Sequence, residues 1–330
     1  MRTLLALLLS ASALSAFAAG RGTLLVLNKA ENTVSLIDLA TKKSVATIPT
    51  GDEPHEIAVS PDGKVAVICN YGTSPTPGNT LTVIDIAARK SLRTIDLGKH
   101  VRPHGIAWLR GNHVAVTTEG TKTLLTVDIA ASKVTAAIDT GELGSHMVAL
   151  APAHDRAFVA NINSGSVSVI DLKQQRRVAN ITTGDGTEGI AISPDQREVW
   201  AGNRDGNTLS IIDVASLKVV ATLPSKSFPI RLKFTADGKN VLVANAQSGA
   251  VAVWDAATRR ELRRVDMQEP KQSQWGSPIG ILVAAPLSQA FVATPNLDQV
   301  AVIDLATWQV VDWLTTGDEP DGLGYSQLAP

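Results

Sequence analysis

The chain repeats one pattern of alternating apolar and polar residues. Six-residue segments such as "TVSLID", "SVSVID" and "TLSIID" place apolar side chains at alternate positions and end in aspartate. This period of two, with abundant β-branched residues, indicates β-strands rather than helices. A spacing of 42 to 49 residues between successive copies predicts a propeller or a solenoid. The seven copies end at Asp38, Asp85, Asp128, Asp171, Asp213, Asp255 and Asp304.

Each repeat contains four short strand signals separated by turn residues. In one repeat they are "RAFVAN", "SVSVID", "RRVANITTG" and "EGIAIS". Pro-Asp-Gly at 61–63, Ala-Asp-Gly at 236–238 and Asp-Gly at 205–206 are typical turn sequences. Four antiparallel strands per repeat favour a propeller blade over a solenoid coil.

The two ends of the repeat array complement each other. The N-terminal part has "TLLVLN", "TVSLID" and "SVATIP" without a preceding first strand, whereas the chain ends in a lone first strand, "EPDGLGYSQ". Pairing them completes a blade and removes two exposed sheet edges. We therefore predict an all-β, seven-bladed β-propeller with four antiparallel strands per blade, formed by residues 19–330 and closed by N-terminal strands plus the C-terminal strand.

The first 20 residues have a different pattern. Arg2 precedes an apolar run, and the small residues Ala16 and Ala18 follow it. This layout predicts a signal peptide over residues 1–18, hence a periplasmic or secreted protein with no membrane span after cleavage. An N-terminal helical anchor is the alternative, although the run is short for a membrane span.

Composition narrows the function classes. Cys69 is the only cysteine, so an internal disulfide and a CxxCH haem attachment are excluded. The formal charge of −1 gives no basic footprint for nucleic acid or for an anionic membrane. GxSxG, HExxH, P-loop and dinucleotide-binding signatures are absent from the sequence. These absences favour a binding protein over an enzyme, and no catalytic residue is assigned.

One repeat carries a family resemblance. The segment "VANINSGSVSVIDLKQQRRVANITTGDGTEGIAISPDQREVW" resembles the repeat of YVTN-family β-propellers, which include periplasmic YncE-like proteins. The pattern departs in the third and sixth units, where "APAHD" and "APLSQ" replace Pro-Asp-Gly. The resemblance implies the propeller fold, and similarity to YncE-like proteins also implies single-stranded DNA binding. That activity needs stacking aromatics and a basic groove, whereas this chain has 4% aromatic residues and a slightly acidic balance.

Residues that recur in every blade serve the fold, whereas positions that differ between blades are candidates for function. The recurring aspartates precede tight turns, where the carboxylate can accept a bond from a backbone N–H two residues on. The second residue of the first strand varies instead. Because the ring closes, the polar residues at this position are predicted to form one continuous arc around the central channel. In blade order this position holds His55, His104, His146, Glu188, Ile230, Ile279 and Asp321.

Imidazoles flanked by carboxylates suit a divalent transition metal such as zinc, copper or iron. The candidate metal ligands are His55, His104, His146, Glu188 and Asp321. The same groups could instead bind an anion, act as acid or base, or be solvated rim residues. The leading interpretation is an exported binding or scaffold protein that recognises a small ligand or protein partner on its loop-rich face, with Trp275, Arg231 and His100 as candidate contacts. A metal-binding protein or metalloenzyme is the alternative.

Overall fold

The computed structural model describes residues 22–271 and 274–330. Across this part of the chain, 28 strands form seven four-stranded antiparallel sheets, the blades of a closed propeller. The remaining regular structure is five 3₁₀ turns of three residues each. Among the described residues no helix is long and apolar enough to cross a membrane. The predicted signal peptide, residues 1–18, lies outside the described residues.

The strands follow the chain blade by blade. The first three, which belong to the closing blade 7, are β1 (Thr23–Asn28), β2 (Thr33–Asp38) and β3 (Lys43–Pro49). Blade 1 contains β4 (Pro54–Val59), β5 (Val65–Gly72), β6 (Pro77–Asp85) and β7 (Lys90–Asp96). Blade 2 contains β8 (Pro103–Trp108), β9 (His113–Thr118), β10 (Thr123–Asp128) and β11 (Lys133–Asp139). Blade 3 contains β12 (Ser145–Ala151), β13 (Arg156–Asn161), β14 (Ser166–Asp171) and β15 (Arg176–Thr182).

The second half of the ring repeats this order. Blade 4 contains β16 (Thr187–Ile192), β17 (Glu198–Asn203), β18 (Thr208–Asp213) and β19 (Lys218–Pro224). Blade 5 contains β20 (Pro229–Phe234), β21 (Asn240–Asn245), β22 (Ala250–Asp255) and β23 (Arg260–Asp266). Blade 6 contains β24 (Ile281–Ala284), β25 (Gln289–Thr294), β26 (Gln299–Asp304) and β27 (Gln309–Thr315). The last strand, β28 (Pro320–Ser326), returns to blade 7.

The predicted closure is confirmed. Strand β28 pairs antiparallel with β1, with Thr23 opposite Ser326 and Val26 opposite Leu323. The Ser326 hydroxyl donates to the carbonyl of Gly63 in blade 1 at 2.7 Å. The C-terminal strand therefore pairs with β1 inside blade 7 and also contacts blade 1. As a result, β1 has no unpaired edge where the ring closes.

The core lies between adjacent blades and inside each sheet. The second and third strands of the blades are almost wholly buried, and the largest enclosed side chains include Trp200, Phe158 and Phe291. Cys69 is buried in the same layer, and burial raises its pKa well above the usual value. A stack of such sheets gives a rigid support for side chains that point to the axis.

Glycine in or directly before several inner strands brings neighbouring blades close. A Cβ on Gly105, Gly280 or Gly322 would lie 2.2 to 2.4 Å from a carbonyl oxygen of the next inner strand. Those oxygens belong to His146, Asp321 and His55, each at the variable second position. Close approach of the strands therefore brings these variable residues together around the axis. We call the region lined by the second residues of the inner strands the hub.

The recurring aspartates have the predicted structural role. Asp85 accepts a bond from the backbone N–H of Ala88 at 2.8 Å, and each counterpart makes an equivalent contact. In six blades the bonded N–H lies three residues on, one further than predicted. The asparagine that ends the second strand is also structural, since Asn70 Nδ2 donates to Thr80 and Thr82.

Candidate metal centre at the hub

Three imidazoles from consecutive blades meet at the hub. His55, His104 and His146 are the second residues of β4, β8 and β12. The ring centroids of His104 and His146 are 3.5 Å apart with an interplanar angle of 31°. The rings of His55 and His104 are 5.1 Å apart. Residues that are 42 to 49 positions apart in the sequence therefore lie next to one another at the hub.

Two buried nitrogens of this cluster have no hydrogen-bond partner within the described residues. They are His104 Nδ1 and His146 Nε2. His146 Nε2 lies 3.2 Å from Glu188 Oε1, but the pair lacks the alignment of a hydrogen bond. Buried polar atoms are nearly always satisfied, so a water or an ion bound at His104 Nδ1 would complete its pairing.

The carboxylate of Glu119 lies beside the imidazoles of His104 and His146. Glu119, which directly follows β9, accepts a hydrogen bond from His146 Nδ1 through Oε1. Its Oε2 accepts from the Tyr71 hydroxyl at 2.5 Å. One donor atom each of His104, Glu119 and His146 lies within 4.8 Å of the other two, which is the spacing of residues that share an ion.

His55 has its own outer partner. Its Nδ1–H donates to the backbone carbonyl of Glu53 at 2.8 Å, because a carbonyl can only accept. This bond leaves the Nε2 lone pair available. The ring also packs against Tyr71, with centroids 4.4 Å apart.

Burial and charge act differently on the three imidazoles. Burial lowers the pKa of His55 to about 4 and that of His104 well below its usual value, so both are neutral near pH 7. Burial alone would also lower the pKa of His146, but the Glu188 and Glu119 carboxylates outweigh it and raise that pKa. Neutral imidazole is the form that binds a metal, so His146, unlike the other two, has to release a proton from the imidazolium form that its carboxylate neighbours favour.

An ion pair across the hub lies next to the imidazoles. Arg231, the third residue of β20, donates to Glu56 Oε1 of blade 1 at 2.9 Å and to Glu188 Oε1 at 2.9 Å. Blades 5 and 1 are separated by two blades on one side and three on the other, so the side chain spans the axis. Arg204 also binds Glu188, at 2.5 Å.

The two predicted carboxylate ligands have different surroundings. Burial would raise the pKa of Glu188, but His146, Arg231 and Arg204 lower it to about 2. Asp321 is also buried, and none of the described residues forms a side-chain hydrogen bond or ion pair with it. Burial raises the pKa of Asp321 to about 6 despite the charges of Arg231 and Lys29. Glu188 thus forms ion pairs with two arginines, whereas Asp321 forms none with the described residues.

The three predicted ligand contacts are dispersed. Arg231 lies in the hub, but its guanidinium is occupied by carboxylates. His100 packs in blade 2, where its Nδ1 lies 3.3 Å from the Thr123 hydroxyl. Trp275 lies in the loop before β24, is 46% exposed and packs against Gly249. No contact in the described part of the chain joins His100 or Trp275 to the hub imidazoles.

Sequence reasoning missed Tyr71, Glu119, Arg204 and Glu56. The first three occupy one repeated position, the residue directly after the second strand, which in blade 1 falls within the longer strand β5. A comparison of this position between blades would have found them, because it varies as the inner-strand position does. From blade 7 through blade 6 it holds Lys29, Tyr71, Glu119, Ile162, Arg204, Ala246 and Pro295.

A model of the "YNCE-like beta-propeller" family matches residues 8–115 and 108–278. The chain belongs to the YncE-like β-propeller family. No curated protein sequence matches it. Two solved structures share the fold of this YncE-like chain at low sequence identity.

One is the Kuenenia stuttgartiensis hydrazine synthase, with 20% identity, a TM-score of 0.70, and coverage of 82% of this chain and 88% of that chain. The other is a functionally unknown protein from Desulfotomaculum acetoxidans, with 13% identity and a TM-score of 0.78. That match covers 92% of this chain and 99% of the other. At these identities the likeness concerns the fold alone.

Proposed function

We propose that this YncE-like protein is an exported binding protein that holds a divalent transition metal at its hub through His55, His104 and His146. The observation that carries the proposal is the stacking of two buried imidazoles whose nitrogens, His104 Nδ1 and His146 Nε2, form no hydrogen bond within the described residues. An ion between them would satisfy both atoms.

The chemistry of the donors supports a borderline cation. Imidazole nitrogen suits zinc, copper, iron and nickel, whereas calcium and magnesium prefer oxygen ligands. Burial keeps His55 and His104 neutral, so neither has to lose a proton to bind. Neutral rings also favour a cation over an anionic ligand. The burial of His104 and His146 argues against the alternative of solvated rim residues.

Export is part of the proposal and rests on the N-terminal segment. Arg2, the apolar run and the small residues up to Ala18 match a signal peptide. A single buried cysteine also fits an oxidising compartment, because no exposed thiol would be open to oxidation.

Titration of tag-free, chelator-treated protein with Zn²⁺, Co²⁺ and Cu²⁺ in a calorimeter tests the metal site. We expect one ion per chain, and His104→Ala or His146→Ala should weaken binding by at least about 100-fold, because each removes a ligand. His113→Ala is the matched control, because His113 is half-exposed at the start of β9 beside Asp128.

Two results would contradict the proposal. One is the lack of near-stoichiometric binding of any of these ions. The other is an equal effect of His104→Ala and His113→Ala, which would mean that the ions bind to surface imidazoles. Circular dichroism of each variant separates loss of a ligand from loss of the fold.

A further inference from the structure

We infer that Glu119, the carboxylate nearest to the imidazoles, is a positioning residue rather than a metal ligand, and that Tyr71 holds it in place. This inference rests on the proposed metal-binding function. It assigns a Tyr71–Glu119–His146 hydrogen-bond relay that determines which nitrogen of His146 faces the ion.

Both oxygens of Glu119 are already engaged. Oε1 accepts from His146 Nδ1 and Oε2 accepts from the Tyr71 hydroxyl. Burial would raise the pKa of Glu119, but His146 and Tyr71 lower it, so the carboxylate is ionised and acts as an acceptor. Each oxygen keeps a second lone pair, but an ion bound there would compete with the donor that is already bonded to that oxygen.

The relay makes Nε2 the nitrogen of His146 that can face an ion. With the Nδ1 proton directed at Glu119, Nε2 is the nitrogen that forms no hydrogen bond within the described residues, and Glu188 Oε1 lies 3.2 Å from it. His104 Nδ1 is the second such atom, on the ring stacked 3.5 Å away. The ion is therefore expected between these two nitrogens, on the side of His146 away from Glu119.

His55 repeats the arrangement with a different acceptor. Its Nδ1–H is bound by the Glu53 carbonyl, which likewise leaves Nε2 free. Metal-binding histidines usually donate their second ring N–H to a carboxylate or carbonyl, which fixes the tautomer and makes the ligating nitrogen more basic. Two of the three imidazoles thus have an outer partner on Nδ1.

Tyr71 is brought to this position by an extended hairpin. Strand β5 continues to Gly72 and β6 begins at Pro77, so the hairpin is longer than its counterparts in other blades. The Arg102 guanidinium lies over the Tyr71 ring, 4.9 Å from its centroid. Burial and the neighbouring Glu119 raise the pKa of Tyr71 to about 12, so its hydroxyl remains a donor at any physiological pH.

Cobalt substitution tests this inference, because the visible spectrum of bound Co²⁺ reports its ligands. The wild type, Glu119→Gln, Glu119→Ala and Tyr71→Phe are titrated with Co²⁺ as full-length, tag-free proteins. We expect Glu119→Gln to weaken binding by about 10- to 100-fold while the cobalt bands keep their positions and intensities, as for loss of an outer partner. Glu119→Ala should bind Co²⁺ more weakly still, and Tyr71→Phe should reduce the affinity for Co²⁺ a few-fold.

A changed cobalt spectrum in Glu119→Gln would identify Glu119 as a ligand and overturn the inference, while the metal site itself would stand. Unchanged affinity in both Glu119 variants would also overturn it. Absence of cobalt binding by the wild-type protein would overturn the inference together with the proposed function. His104→Ala, which removes a proposed ligand, provides the reference spectrum for an altered coordination sphere.

Discussion

The hub has a polar sector and an apolar sector built on the same backbone. In blades 7, 1, 2, 3 and 4 the second residue of the inner strand is ionisable, whereas blade 5 has Ile230 there and blade 6 has Ile279 at the equivalent position, two residues before β24. The residue after the second strand follows the same division except at Ile162. Because the blades share one fold, the difference comes from side chains at two positions. The repeated backbone therefore determines where these side chains meet, and the residue type in each blade determines the chemistry available there.

Arg231 connects the two sectors. It begins in apolar blade 5, at a position where four other blades have glycine, and reaches Glu56 and Glu188 in the polar sector. Both carboxylates are largely enclosed, with side-chain exposures of 15% and 3%. The polar sector therefore depends on a cation supplied from the opposite side of the ring.

Removal of this cation should have the largest effect on stability. Arg231→Met keeps much of the apolar stem but leaves Glu56 without its guanidinium partner and Glu188 with only Arg204 and His146. Breaking a buried pair costs about 3–5 kcal/mol because a charge stays buried and uncompensated. Urea denaturation at pH 7, with chelator present, measures the loss.

Arg110→Met is the matched control, because Arg110 forms an ion pair with Asp155 at 2.9 Å while its side chain is 92% exposed. Exposed pairs contribute little, so a change below about 1 kcal/mol is expected. Equal losses in the two variants would mean that the cross-hub pair is no more important than a surface contact.

Asp321 should respond to pH in the direction opposite to Glu188. Its pKa of about 6 in the folded chain exceeds the ordinary value of 3.8, so folding favours the protonated carboxyl. That contribution is complete below pH 4 and is lost as the pH rises through 6. Asp321→Asn, which cannot ionise, should therefore gain about 2 kcal/mol over the wild type at pH 8 relative to pH 4. Denaturation of metal-free protein at both values measures the difference.

Glu188 provides the contrast. Its pKa of about 2 lies below the ordinary 4.5, so its stabilising contribution is present above pH 4.5 and is lost as the pH falls toward 2. Glu188→Gln should therefore destabilise the protein at pH 7 and less so near pH 3. If Asp321→Asn were destabilising at pH 8 as well, the ionised Asp321 would have a stabilising partner.

The sequence predicted the fold because the same evidence occurs seven times. Alternation, turn residues and the interval between the aspartates each predict a blade, and the unpaired first strand at the C-terminus indicated closure. Closure in turn predicted that Asp321 and His55 occupy adjacent blades, which no local pattern could show. The imidazoles were found because they replace other residues at a repeated position.

The charge partners were harder to predict. Glu119 follows the second strand of blade 2, and Tyr71 occupies the equivalent position within the longer strand β5. The first-strand comparison did not include this variable position. Glu56 meets Arg231 across the axis over 175 residues, and a contact between distant blades depends on side-chain reach rather than on repeat register. Periodicity therefore predicts which residues surround the hub, whereas pairing across it depends on three-dimensional distances.

The smallest expected effect concerns the apolar sector. Ile230 occupies the position that His104 and His146 occupy in the polar sector, is half-buried and packs against the core between blades 5 and 6. Ile230→Ala should cost about 1 kcal/mol, below the range for a fully buried isoleucine, and should leave metal affinity within about twofold. His104→Ala should show the reverse pattern, with a large loss of affinity. A tenfold loss of affinity in Ile230→Ala would mean that the apolar wall shapes the ion's surroundings, and the two sectors would then form one site.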